Sequence, residues 1–356
     1  MESDLKLVID AIPLPDSDAA EWARRRQATL TKPPGSLGVL EELSVRLAGM
    51  TAHAPLDLSH KRIIVAAADH GVVDEGVSAF PKDVTAQMVR NFLSGGAAIN
   101  VLGRFGGIDI TVVDAGVAAD TSVASETDFV VHKIGRGTGN IRREPAMTRK
   151  QAYESMELGI HVASDRIEQG AQLLGAGEMG IGNTSSATAI ASVLTGRPVE
   201  EIVGRGTGIP ESRLAHKIEV IRDAVQLHSA SCKDGIDVLA RLGGFEIGCL
   251  TGVILAAASR RVPIVIDGFI STSAALLAAE IAPRTTAFMI AGHQSAESGH
   301  AVMLRKLGLA PILSLGMRLG EGTGAALAMH VVEAACRLLA QMATFDGAGV
   351  SSEDNR

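Results

Sequence analysis

An α/β fold with a doubly wound, mainly parallel sheet is what the sequence predicts, and three observations lead there. Short, continuously apolar runs rich in Val, Ile and Ala end in glycine or an acid, the pattern of strands buried on both faces. Helix-like segments separate most of these runs, the alternation a parallel sheet requires. At 356 residues the chain is more than twice the ~150 residues of a typical single core. A large domain with a smaller unit beside it is therefore expected.

The elements follow in order. Residues 1–10 are acidic and too poor in apolar length for a signal peptide. Residues 17–53 read as two helices around Thr31-Lys-Pro-Pro-Gly-Ser36, where two prolines and a glycine interrupt any helix. Strands are predicted at 62–69, 108–114, 129–134, 171–177, 262–267, 286–291 and 311–315. Helices are predicted near 82–103, 148–169, 184–195, 211–240, 245–260, 271–281 and 295–307. A last helix spans about 324–342, and the tail from Asp346 is small and polar. The two ends, 1–56 plus 330–356, are expected to form a small helical domain beside a Rossmann-like α/β domain of 57–329.

Composition excludes several function classes. Phe, Trp and Tyr make up 3% of the chain, and Asp plus Glu outnumber Lys plus Arg by 40 to 33, a net charge of −7. No stacking surface for single strands and no broad footprint on a phosphate backbone or anionic membrane is expected. The mean hydropathy of +0.23 raises the question of a membrane span. The longest uncharged run, 179–196, carries seven Asn, Ser and Thr side chains, which hydrocarbon rejects; it reads as a loop feeding a buried helix. Cys232, Cys249 and Cys336 lie far apart without metal-ligand pairing, the usage of a reducing cytosol. A cytoplasmic location is expected.

Ligands of an open parallel sheet bind beyond the carboxyl ends of its strands, so the polar residues following each run carry the functional reading. In Gly177-Glu-Met-Gly-Ile-Gly-Asn-Thr-Ser-Ser186, Gly180 and Gly182 permit close backbone approach and Thr184 or Ser185 can cap the helix. Such a turn suits an anion, or simply starts a helix. It lacks the Lys of a Walker loop and the third Gly of a dinucleotide fingerprint. The string Gly204-Arg-Gly-Thr-Gly208, repeated at 135–139 as loop chemistry, precedes Lys217. Together they could clamp a phosphate or carboxylate, although Lys217 alone reads as a solvated surface lysine.

Two further stretches stand out. Glu321 lies between Gly320 and Gly322 after the last predicted strand, placed either to act as a general base or to complement the dipole of the coming helix. Between Ala68 and Met88, Phe80 and Met88 could flank a flat apolar ring, with Ser78 or Gln87 orienting it; in isolation such residues are also ordinary core packing. Asp69-His70 lacks a partner serine or a spaced second ligand, and His293 and His300 miss the i, i+4 spacing. Neither a triad nor a metal site is expected.

Eight blocks occur in order: Lys32-Pro-Pro-Gly-Ser-Leu-Gly38, Ala68-Asp-His-Gly-Val72 on through Gln87, 177–184, Gly206-Thr-Gly208, Gly243-Gly-Phe-Glu-Ile-Gly248, Asp267-Gly-Phe-Ile-Ser-Thr272, Gly292-His-Gln-Ser295 and 316–324. With them the chain resembles the nicotinate-nucleotide–dimethylbenzimidazole phosphoribosyltransferases of cobalamin biosynthesis. The resemblance implies transfer of a phosphoribosyl group from nicotinate mononucleotide to dimethylbenzimidazole, without cofactor or metal. It also implies a homodimer and a small domain built from both chain ends. Matched residue by residue, Glu321 falls at the family's general base. Glu178, Gly180, Gly182, Asn183, Thr184, Gly206, Thr207, Gly208, Lys217, Leu319 and Gly320 fall on the nucleotide side, and Ser78, Phe80, Gln87 and Met88 at the base pocket. Two alternatives stand beside it: the same chemistry on adenine, another benzimidazole or a phenolic base, and a non-catalytic nucleotide-binding protein. A nicotinamide dehydrogenase is disfavoured, since no strand leads into a full Gly-x-Gly-x-x-Gly.

Overall fold

Continuous apolar runs become strands buried on both faces, with Ile63 through Ala68 and Val112 through Val113 fully sequestered. The computed structural model describes residues 2–53, 56–121, 128–206, 208 and 210–351. Its sheet comprises β1 (Lys61–Ala68), β2 (Ile108–Gly116), β3 (Asp128–Val131), β4 (Leu173–Met179), β5 (Ile264–Ile266) and β6 (Met289–Ala291). All neighbours are parallel in the order β3-β2-β1-β4-β5-β6, with Val65 of β1 opposite Val112 of β2 and Gly177 of β4. The order reverses between β1 and β4, which opens a crevice beyond their carboxyl ends.

Helices cover the sheet at close range because glycine removes side chains where they meet it and each other. The helix Phe245–Ser259 packs on β1, β2 and β4 and on the helix Arg149–Glu168. A Cβ on Gly159 would run into the carbonyl of Cys249, and one on Gly252 into that of Met156. The helix Thr323–Gln341 packs on β1, β4 and β5. Among the described residues it is long and apolar enough to cross a membrane by length and composition; here Ala325, Ala328, Met329 and Val332 are buried in the protein.

The chain ends meet along this same helix. Ser17–Thr29, capped by Asp16 accepting from the Ala19 amide at 2.8 Å, packs on Val39–Thr51, and both touch Thr323–Gln341. Arg26 donates to the carbonyls of Leu339 at 3.3 Å and Met342 at 2.9 Å, and Leu30 forms an antiparallel bridge with Thr344. The helix is continuous through residue 330.

Several expectations are corrected. Residues 311–315 form no strand; Pro311 offers no amide to a ladder, and Leu313 makes a single parallel bridge to His293. The predicted helix 82–103 is two, Val84–Leu93 and Ala98–Gly106, parted where Gly95 takes φ +74°. The segment 211–240 also divides, into Glu211–His228 and Gly235–Leu242, the second capped by Asp234 on the Asp237 amide at 2.8 Å. The helix expected from 295 starts at His300, whose Nδ1 accepts the Ser295 amide at 2.8 Å. A helix at Glu2–Asp10 was not foreseen. The uncharged run does enter a buried helix, Asn183–Thr195, where Thr188 and Ser192 hydroxyls donate to the carbonyls of Thr184 and Arg197, both at 2.7 Å.

Gly159→Ala is expected to lower the melting temperature by several degrees, an overpacking cost of about 1–3 kcal/mol. A melting curve superimposable on that of the wild type would show that these two helices can part freely.

Candidate active site

Glu178, Asp267 and Glu321 are each placed by a strand end or a helix start. Glu178 stands near the end of β4, and the turn through Gly182, at φ +95°, leads straight into Asn183–Thr195. Asn183 therefore returns over the strand end and donates its amide to the Glu178 carboxyl. Burial, then the charges of Glu246, Asp267 and Glu321, push the Glu178 pKa up to about 8 against that hydrogen bond. Glu178 thus keeps a proton at neutral pH.

Asp267 follows β5 directly and is buried. Its two oxygens accept the amides of Gly322 at 3.2 Å and Ala325 at 2.9 Å. Burial raises its pKa to about 7, opposed by those amides and assisted by the Glu321 charge. Gly320, Glu321 and Gly322 have φ of +83°, +62° and +86°, a left-handed turn that glycine adopts freely and glutamate does not. Glu321 is 4% exposed, and its Oε2 has no hydrogen-bond partner. Burial raises its pKa, partly offset by the Ile99 amide.

These acids share a cleft of about 430 Å³. Of the residues singled out in the sequence, Glu178, Gly180, Asn183, Thr184, Gly206, Leu319, Gly320, Glu321, Phe80 and Met88 line it. Gly182 and Gly208 adjoin without lining it, and Thr207 lies outside the described residues. Gln87 is exposed on Val84–Leu93 and Ser78 sits in the preceding loop, its hydroxyl accepting the Phe80 amide at 3.2 Å; neither lines the cleft.

Two readings need correction. Lys217 is not a surface lysine: it is 1% exposed, and its Nζ donates to Thr184 Oγ1 at 2.9 Å. Its helix, Glu211–His228, packs on Asn183–Thr195, so an inward-facing side chain lands directly behind the cleft wall. Burial lowers its pKa to about 8, with Glu297 opposing. His70 does have a partner serine, with Nδ1 3.1 Å from Ser186 Oγ and Nε2 2.6 Å from Glu246 Oε1. All three residues are fully buried and none lines the cleft. This chain of bonds ties the end of β1 to two helices and is closed to substrate.

Sequence reasoning missed Asp267, His293, Ser295, Glu297 and Arg318 as lining residues. Asp267 carried the signal, an acid directly after a strand. The others lie in loops whose role is mutual: His293 Nε2 accepts the Leu315 amide at 3.0 Å, and Arg318 donates to the Gly206 carbonyl at 2.9 Å. Among the described residues no three His, Cys, Asp or Glu side chains stand close enough to share a metal ion. Phe80, Val84, Met88 and Ile181 give one part of the cleft an apolar lining, while the acids give it proton acceptors. Such a cleft can hold a flat ring and take a proton from it.

The chain is similar to known phosphoribosyltransferases. A family model described as a phosphoribosyltransferase matches residues 12–350. A relative from Chloroflexus aggregans, named nicotinate-nucleotide–dimethylbenzimidazole phosphoribosyltransferase, is 56% identical over 338 residues, 95% of each chain. One of the same name from Desulforudis audaxviator is 51% identical over 351 residues, 99% of each chain. The crystal structure of CobT from Thermus thermophilus superposes with a TM-score of 0.89 at 44% identity, covering 94% of this chain and 99% of that one.

A carboxyl whose pKa rises on folding weakens the fold as pH climbs from its ordinary value of 4.5 to its folded value of about 8. Glu178→Gln is therefore expected to raise the melting temperature over wild type by a margin that grows between about pH 5 and about pH 9. A margin independent of pH would mean that Glu178 is ionised throughout.

Proposed function

The chain belongs to the nicotinate-nucleotide–dimethylbenzimidazole phosphoribosyltransferase family, and from that premise we propose that Glu321 is the general base of the transfer. The enzyme moves the phosphoribosyl group of nicotinate mononucleotide to dimethylbenzimidazole and releases nicotinate. One nitrogen of the benzimidazole attacks C1′ as the bond from C1′ to the nicotinate nitrogen breaks, its electron pair leaving with the ring. That ring is a pyridinium while attached, so it departs neutral at nitrogen and needs no acid. The hydrogen on the second benzimidazole nitrogen must go elsewhere, and it goes to the Glu321 carboxylate. Attack opposite the departing ring inverts C1′ and accounts for an α linkage in the product.

The observation that carries this reading is the buried carboxyl of Glu321, with one oxygen unpartnered, in the same cleft as Phe80 and Met88. Burial raises its pKa, which strengthens it as a base; it must be ionised to act, so turnover falls as pH drops through that pKa. Glu178, proton-bearing at neutral pH, is suited to donate to a ribose or carboxylate oxygen rather than to compete for the proton. Asn183, Thr184, Gly206 and Gly320, with Lys217 held behind Thr184, form the nucleotide side. By the resemblance Gly182, Gly208 and Leu319 serve the same side, Thr207 is assigned there on sequence alone, and Ser78 and Gln87 are assigned to the acceptor base. The proposal extends to a cytoplasmic homodimer in which both chain ends make one small helical domain.

A positioned base contributes about 10²–10⁴-fold in rate, the remainder coming from orientation of the two rings. Glu321→Gln is expected to bind both substrates and to turn over at least roughly a hundredfold more slowly. Wild-type turnover in that variant would remove Glu321 from this role. A panel of acceptors, including adenine and phenols, reads the selectivity of the pocket: dimethylbenzimidazole is expected to give the highest kcat/KM, and a preference for adenine would reassign the acceptor.

A further inference from the structure

We infer that Asp267 is a positioning residue for Glu321: by clamping the first turn of the helix Thr323–Gln341 it holds the glutamate in its left-handed backbone conformation within the cleft. The inference rests on Glu321 being the base. Of the three non-glycine residues at positive φ among the described residues, Ala52 and Arg261 follow helices, where the left-handed region is a common terminator. Glu321 instead precedes one. Holding a non-glycine residue there is costly and persists only where the surroundings impose it.

The local sequence supplies little of that restraint. Helix amides at an N-terminus need outside acceptors, and the capping position here is Gly322, which has no side chain to offer. Asp267, arriving from the end of β5, substitutes for it with both oxygens, on Gly322 at 3.2 Å and Ala325 at 2.9 Å. From the other side β4 presents Gly177, where a Cβ would lie 2.6 Å from the Glu321 carbonyl oxygen. The turn is thus gripped between a bare strand and a carboxylate. A neutral cap would satisfy the same amides without placing negative charge beside Glu321 and Glu178, and Asp267 bears that electrostatic cost. When ionised, Asp267 holds those amides about twice as strongly as a neutral acceptor would, which suits a clamp on a strained turn.

Asp267→Asn keeps one acceptor oxygen and turns an NH₂ toward the other amide, so half the clamp is lost. The expected result is a kcat lowered at least about tenfold, with KM for both substrates within about twofold and dissociation constants by calorimetry unchanged. In the Glu321→Gln background the same change is expected to cost nothing further, because Asp267 acts through Glu321. A multiplicative loss in the double variant, or a rise in KM that accounts for the whole effect, overturns the inference while leaving the base assignment intact. Wild-type turnover of Glu321→Gln alone overturns the base and this inference with it. Should the Asn variant fail to fold, Asp267→Ser retains a neutral hydroxyl acceptor and is expected to show the same split between kcat and KM.

Discussion

At the carboxyl ends of β4 and β5 the chain gathers Glu178, Asp267, Glu297 and Glu321 around one cleft, with Glu246 behind Gly180. That concentration of buried negative charge is the constraint to which the surroundings conform. An uncompensated buried ion costs on the order of several kcal/mol, and each acid meets the cost differently. Glu178 keeps a proton and the Asn183 amide, Asp267 takes main-chain amides, and Glu246 is paired with His70. Lys217 lies close enough to Glu297 for the two charges to interact. Among the described residues Oε2 of Glu321, like that of Glu246 and of Glu297, has no hydrogen-bond partner; Glu246 is shut off behind Gly180 and Glu297 interacts with the Lys217 charge, which leaves the acceptor of Glu321 for chemistry.

The fold makes the arrangement possible through backbone rather than side chains. Reversal of strand order between β1 and β4 opens the crevice, but depth comes from glycine. Gly177 lets the turn around Glu321 press against β4, and Gly180 leaves room beside Glu246 and Asn183. Gly322, at φ +86°, packs on Ile63 of β1. Reactive groups therefore sit on rigid strand ends and helix starts, the placement that holds a catalytic geometry most tightly. The apolar wall at the start of Val84–Leu93 is more open, and Phe80 in the loop before it is 50% exposed. An open ring wall facing the base suits a site that must admit one flat molecule and release another.

Much of this was legible in the sequence. Six of the seven predicted strands exist, because their apolar runs are continuous and end in polar residues, the sign of burial on both faces. The seventh, at 311–315, has the right composition but starts at Pro311 and is reduced to one bridge, Leu313 to His293, past the end of β6; periodicity over five residues does not reveal that. Glu321 was visible because two glycines bracket it. The sequence alone puts Lys217 at the surface, because burial of one helix face depends on which helix lies beneath, a tertiary fact. Ser186 and Glu246 could not be linked to His70 across more than a hundred residues. Asp267 is not singled out by the sequence although it directly follows a strand, since its partners are amides and amides leave no trace in a residue pattern.

The most direct test is a crystal structure with dimethylbenzimidazole and nicotinate bound together. The account predicts a Glu321 carboxylate oxygen about 2.6–3.2 Å from the nitrogen that must lose its proton, with the turn through Gly320 and Gly322 still left-handed. A benzimidazole whose N–H is bonded to Glu178 or to water, with the Glu321 carboxylate turned away from it, would contradict the account.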